Sequence, residues 1–127
     1  MLFRSAVRQA HGLGPGQPHA DRLVMTGPVP DGVLPALYRR ATALAMPSVK
    51  EGFGLVAIEA MACGVPLVAT TGGALPEVVG PDGEAALTVE PGNPDALAMA
   101  IGRMLDDREL RDRLGAAGRE RVLGKFT

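Results

Sequence analysis

A single cysteine, Cys63, stands in a chain of 127 residues. An internal disulfide is therefore impossible, and a thiolate metal site has no second sulfur to share the ion. Tryptophan is absent, and three Phe with one Tyr complete the aromatics, too few to stack successive bases of a single-stranded nucleic acid. Lys and Arg number 13 against 14 Asp and Glu, a formal net charge of −1. That balance gives no basic surplus to neutralise a phosphate backbone or an anionic bilayer, so neither nucleic acid nor a membrane surface is an expected partner. Apolar stretches such as residues 54–61 fall far short of the roughly 20 residues needed to span a bilayer. The N-terminus lacks a signal-peptide pattern, and the expected location is the cytoplasm.

What is present suffices to fold. The chain is 46% hydrophobic and 21% charged, a soluble globular composition of single-domain size, and one compact unit over residues 1–127 is expected. Leu2, Val7 and Ala10 fall at helical spacing, after which "GLGPGQP" ends any helix and opens a linker-like stretch, "GLGPGQPHADR". Residues 22–27, "RLVMTG", read as a strand closed by Gly27 and Pro28. Asp31 then stands where it would cap a helix carrying Leu34, Leu37 and Tyr38.

The same alternation recurs. "ATALAMPS" leads through a Gly-Phe-Gly turn to a helix over residues 55–63, and "VPLVAT" forms the next strand. "ALPEVVG" is a short helix, and "AALTV" a last strand. Short continuous apolar strands alternating with helices predict a parallel sheet buried on both faces, an α/β architecture. Asn93 is placed to cap a helix with Pro94 at its first position and an apolar stripe of Leu97, Ile101, Met104 and Leu105. Asp106 and Asp107 open the final helix, where Glu109 and Arg113 are spaced to pair.

One segment carries chemistry: "EGFGLVAIEAMACGVPLVATTGG", residues 51–73. In an open parallel sheet, ligands bind where the carboxyl ends of strands lead into helix N-termini. Gly52 and Gly54 let backbone approach a ligand, and the helix that follows presents free N–H groups and a partial positive charge suited to a phosphate. Glu59, in the second turn of that helix, is close enough to accept hydroxyls beside a bound phosphate, as acidic residues hold a ribose in dinucleotide sites. Glu51 precedes the helix and would face the other side of a diphosphate. A nucleotide sugar is the simplest ligand with phosphates between two polyols.

These residues resemble a known family. The segments "RLVMTGPVPDGVLPALYRRATALAMPS", "EGFGLVAIEAMACGVPLVAT", "TGGALPEVV" and "LTVEPGNPDALAMAI" are similar to the donor-binding domain of the family 4, group 1 retaining glycosyltransferases. Those enzymes are of the GT-B type, with two Rossmann-like domains facing a cleft. Two glutamates eight apart are common by chance; embedded in these segments they match the family's Glu-x7-Glu motif. The resemblance implies that Glu51 contacts the donor sugar and Glu59 the nucleotide ribose. It also implies that backbone at Gly52, Phe53, Gly54 and Leu55 meets the sugar and phosphates, and that the loop around Val29 lies against the base. No metal and no cofactor beyond the nucleotide diphosphate sugar, itself the donor substrate, is implied.

The family's pattern also contains parts without a counterpart here. Its donor domain begins with two further strands, the first followed by an Arg and a Lys that bind the diphosphate, and an acceptor domain precedes them. In the strand order 3-2-1-4-5-6 those two strands lie between the Val24 and Ala43 strands. The expectation is that these two strands pair directly, or that another chain or copy fills the gap. A helix N-terminus contributes at most about 2 kcal/mol toward an anion and a charge-assisted ribose contact about 1.5 to 3, against roughly 8 for micromolar affinity. Weak donor binding by this chain alone follows.

The remaining residues read plainly. Cys63 is a small core residue, His11 and His19 are surface residues, and the Arg-rich stretch 108–121 is a solvated face balanced by acids. Gly72 and Gly73 fit a turn or a sugar contact equally well. Glu51 is compatible with a simple capping role, and Glu59 out of context with a solvated one. Two other functions remain open at this level: a non-catalytic module completed by a partner, and a sugar-nucleotide epimerase of similar fold.

Overall fold

The apolar run ending at Thr70 becomes the middle strand of a parallel sheet, and its neighbours in sequence wrap both faces. The computed structural model describes residue 24, residues 27–47 and residues 54–126. In chain order these residues form α1 (Val33–Arg40), β1 (Leu44–Met46), α2 (Leu55–Ala62), β2 (Leu67–Thr70), α3 (Leu75–Val79), β3 (Leu87–Val89), α4 (Pro94–Asp106) and α5 (Arg108–Phe126). The three strands lie in the order β1-β2-β3. Leu44 stands opposite Leu67 and Val68 opposite Leu87, all in parallel. Every residue of β2 is buried, as a central parallel strand requires.

Contacts divide the chain into Met1–Asp31 and Gly32–Thr127. In the first unit Val24 is exposed and in no strand, Gly27 has φ 63°, and Val29 is half-buried. The expected first helix, the linker-like stretch, and most of the strand at 22–27 with its pairing to the Ala43 strand lie outside the described residues. β1 has β2 as its strand neighbour among the described residues.

In the second unit successive β2 side chains point to opposite faces. Leu67 and Ala69 meet Ala57, Met61, Leu75, Val79 and Val122 from α2, α3 and α5. Val68, with Leu87 of β3, meets Ala100, Met104, Leu110 and Leu114 from α4 and α5.

Local signals place most element boundaries well. Asn93 Oδ1 accepts the Ala96 N–H at 3.0 Å with Pro94 at the first helical position, the expected cap. Three expectations change. Gly32, with φ 87° and no side-chain cap, begins α1 in place of Asp31, and of the three apolar positions only Tyr38 is buried, Leu34 and Leu37 being exposed. Asp106 ends α4, and Asp107 alone caps α5, its Oδ1 accepting the Leu110 N–H at 3.0 Å. Leu105 falls off the apolar stripe at 53% exposure.

The Arg-rich helix is the largest departure. Arg111 Nη1 donates to the carbonyls of Met104 and Leu105 at 3.0 and 2.8 Å, and Arg119 donates to Ala62 O. Arg121 donates to Val78 O and Glu77 O at 2.7 and 2.9 Å, where Lys125 joins it. Arg113 turns to Gly83 O at 2.9 Å in place of the expected Glu109 pair, and the ion pair on this helix is Arg108 with Asp112 at 3.9 Å. The cations of α5 thus satisfy orphan carbonyls at the C-terminal ends of α4, α2 and α3, where the helix dipole also favours positive charge. The sequence showed the run of charges; it carried no information about the carbonyls beneath them.

Candidate anion-binding corner at the start of α2

Because the sheet is parallel, β1, β2 and β3 end on one edge, and the helices that follow them, α2, α3 and α4, start there. Their N-termini are not equivalent. α4 is capped by Asn93, starts with Pro94 and has Asp95 in its first turn. α3 has five residues, Pro76 within its first two positions, and Glu77 in its first turn. α2 has no side-chain cap, no proline at its start and no acid in its first turn. The first backbone N–H of α2 with a partner among the described residues is that of Ile58, donated to Gly54 O at 3.0 Å. The amides of Leu55, Val56 and Ala57 have no partner among the described residues, at a helix end whose positive dipole nothing in the helix offsets.

Gly54 shapes this corner. It is buried, has φ 67°, and lies so close to α3 that an added Cβ would sit 3.0 Å from Val78 Cγ2 and 3.8 Å from Leu75 Cδ2. Only glycine combines that left-handed backbone with that approach. Glu59 is exposed on the face of α2 that also carries the exposed Leu55 and Val56. Four residues of helix separate it from Leu55, a rise of about 6 Å, and helical side chains lean toward the N-terminus. Its carboxylate has no hydrogen-bond or ion-pair partner among the described residues. A charged acceptor thus stands one turn from the start of the helix.

The structure brings Gly54, Leu55 and Glu59 together on α2. Val29 belongs to the first unit, and Glu51, Gly52 and Phe53 lie outside the described residues. Gly72 is buried and Gly73 has φ 56° in the turn from β2 to α3, where Leu75 N–H donates to Gly72 O at 3.2 Å. Among the described residues no group of His, Cys, Asp and Glu could hold a metal ion, and no helix is long and apolar enough to cross a membrane.

Tyr38 is a neighbour that the sequence did not reveal, because it lies on α1. It packs with Ala60 and Val65, beside the half-buried Cys63. Burial first, then the charge of Glu59 and of Cys63, raise its hydroxyl above the ordinary value of 10.0. An acid whose folded-state pKa is raised keeps its proton while the unfolded chain loses it. The associated stability is therefore present below pH 10 and lost as pH rises through the folded-state value. As Tyr38 is the single tyrosine, tyrosinate absorbance reads it directly. The native chain is expected to titrate at higher pH than the urea-unfolded chain, and Tyr38→Phe to flatten the loss of stability in alkali. Coincident native and unfolded titrations would remove the assigned environment.

Residues 18–121 match the family model of glycosyl transferases, group 1. The chain belongs to this family. A 98-residue stretch is 53% identical to the MMP alpha-(1->4)-mannosyltransferase of Mycolicibacterium hassiacum, covering 76% of this chain and 24% of that protein. The fold superposes on sucrose-phosphate synthase from Thermosynechococcus elongatus with a TM-score of 0.84 and 41% identity, over 96% of this chain and 29% of the other. Anabaena Alr3699/HepE, solved in complex with UDP-glucose, matches with a TM-score of 0.72 and 26% identity over 94% of this chain and 32% of its own. The chain thus spans about a quarter of the mannosyltransferase's length. As a group 1 glycosyl transferase sequence it has the GT-B type α/β fold over the part that it covers.

Proposed function

We propose that this chain is the donor-binding part of a retaining glycosyltransferase that moves a hexosyl group from a nucleotide diphosphate sugar to an acceptor hydroxyl. The observation that carries the reading is the uncapped, acid-free N-terminus of α2, with Glu59 one turn along it. The UDP-glucose bound by Alr3699/HepE supports the ligand class. In this reading the amides from Gly52 to Leu55 receive the diphosphate and stabilise it as it departs. Glu59 accepts the ribose hydroxyls, and Glu51 holds the donor sugar. The positive helix end supplies charge stabilisation, and no metal enters. A cytoplasmic location belongs to the same proposal.

Calorimetry with UDP and other nucleoside diphosphates, on this chain and on Glu59→Ala, provides the test. Loss of a charge-assisted contact of about 1.5 to 3 kcal/mol weakens binding roughly ten- to a hundredfold. Equal affinities in the two proteins would remove Glu59 from the ribose and the reading with it.

A further inference from the structure

The opposite edge of the sheet carries a second cationic feature. Just before β1 and β2, the chain passes Arg40, Thr42 and Gly64, and the first turns of α5 lie across from them. Together they border an open groove of about 420 Å³, also lined by Arg108, Arg111 and Asp112. Three arginines and one aspartate are among its lining residues. Arg111 is held in place by its bonds to Met104 O and Leu105 O, so a positive charge is already positioned at the wall. Arg40 has no side-chain partner among the described residues. Arg108 has only Asp112, at 3.9 Å with both side chains largely exposed, a pair of little worth. Gly115 adds no side chain to the floor, where its backbone meets Gly64.

We infer that this groove binds a small phosphate-bearing anion. Planar guanidinium forks match phosphate oxygens in paired hydrogen bonds, and the Thr42 hydroxyl is a further donor. Asp112 repels an anion, and releasing Arg108 from it frees that fork for the ligand. The site lies at the strand N-termini, away from the start of α2, and stands or falls independently of donor binding.

The probe is inorganic phosphate, titrated into the full chain at constant ionic strength with chloride as balancing anion and followed by amide chemical shifts. Saturable shifts confined to Thr42, Gly64 and Gly115 are expected, with Gly54 and Leu55 unmoved. Arg40→Gln combined with Arg108→Gln weakens binding about tenfold or more, whereas Asp112→Asn tightens it about threefold; the UDP-induced shifts at Gly54 and Leu55 stay unchanged in both. Vesicles containing phosphatidic acid present the same chemistry on a surface, and sedimentation with them no greater than with phosphatidylcholine assigns the site to a soluble phosphate. Unsaturable shifts spread over all surface arginines, binding that survives the double substitution, or vesicle binding without saturable phosphate binding would each overturn the inference.

Discussion

Gly115→Ala is expected to destabilise the unit Gly32–Thr127 by about 2 kcal/mol, although alanine is the better helix former. Inside a helix the exchange alone gains up to about 1 kcal/mol. Here the added Cβ would sit 2.4 Å from Gly64 O, a distance that no rotamer change relieves, because the obstacle is backbone. Gly64 has φ 79° in the turn that ends α2, so its carbonyl is fixed by the tight turn from helix to β2. Overpacking of this kind costs about 1 to 3 kcal/mol, occasionally more, and α5 must back away from the sheet, loosening the carbonyl contacts of Arg119 and Arg121. In a domain of about 100 residues each kcal/mol moves the melting temperature by roughly 4 to 8 °C, and the fall is measurable by thermal unfolding. Gly102→Ala is the control, with nothing within 4 Å of its added Cβ, and stabilises by about 0.5 to 1 kcal/mol. If both substitutions stabilise, the close approach of α5 to Gly64 is not what holds that helix.

Gly54→Ala is expected to abolish most nucleoside diphosphate binding. An L-residue at φ 67° costs roughly 1 to 2 kcal/mol, and Val78, 2% exposed, has little freedom to yield to a Cβ at 3.0 Å. The chain escapes both by rotating the backbone out of the left-handed region, which turns the Leu55 amide away from its neighbours. Calorimetry with UDP should show a loss at least as large as that of Glu59→Ala. Adding Val78→Ala separates the two causes. It removes the side-chain overlap and returns part of the stability, but leaves the backbone strain and returns no binding. A Gly54→Ala chain that binds UDP as well as the unaltered one would mean that those amides are not the phosphate cradle.

Gly54 and Gly115 sit at opposite ends of what was legible in the sequence. Gly54 and Glu59 were readable because their relation is local. Both lie at the beginning of one helix, and a helix's pitch converts a spacing in sequence into a spacing along one face. The alternation of apolar strands and helices, and the Asn93-Pro94 start of α4, are likewise short-range consequences of backbone dihedrals and side-chain caps. Gly115 gave no such signal. Its meaning depends on Gly64, which reaches it only when α5 folds back across α2.

The sequence by itself determined the α/β class, most of the elements, and the placement of an acid one turn beyond a glycine-started helix, because each follows from torsional preferences and periodicity within a few residues. Only the tertiary structure decided that the arginines of α5 bind the ends of three other helices, and that Tyr38 packs against Ala60 of α2. Those outcomes rest on contacts between segments far apart in the chain. Such contacts are selected by the packing of whole faces, to which no local pattern responds.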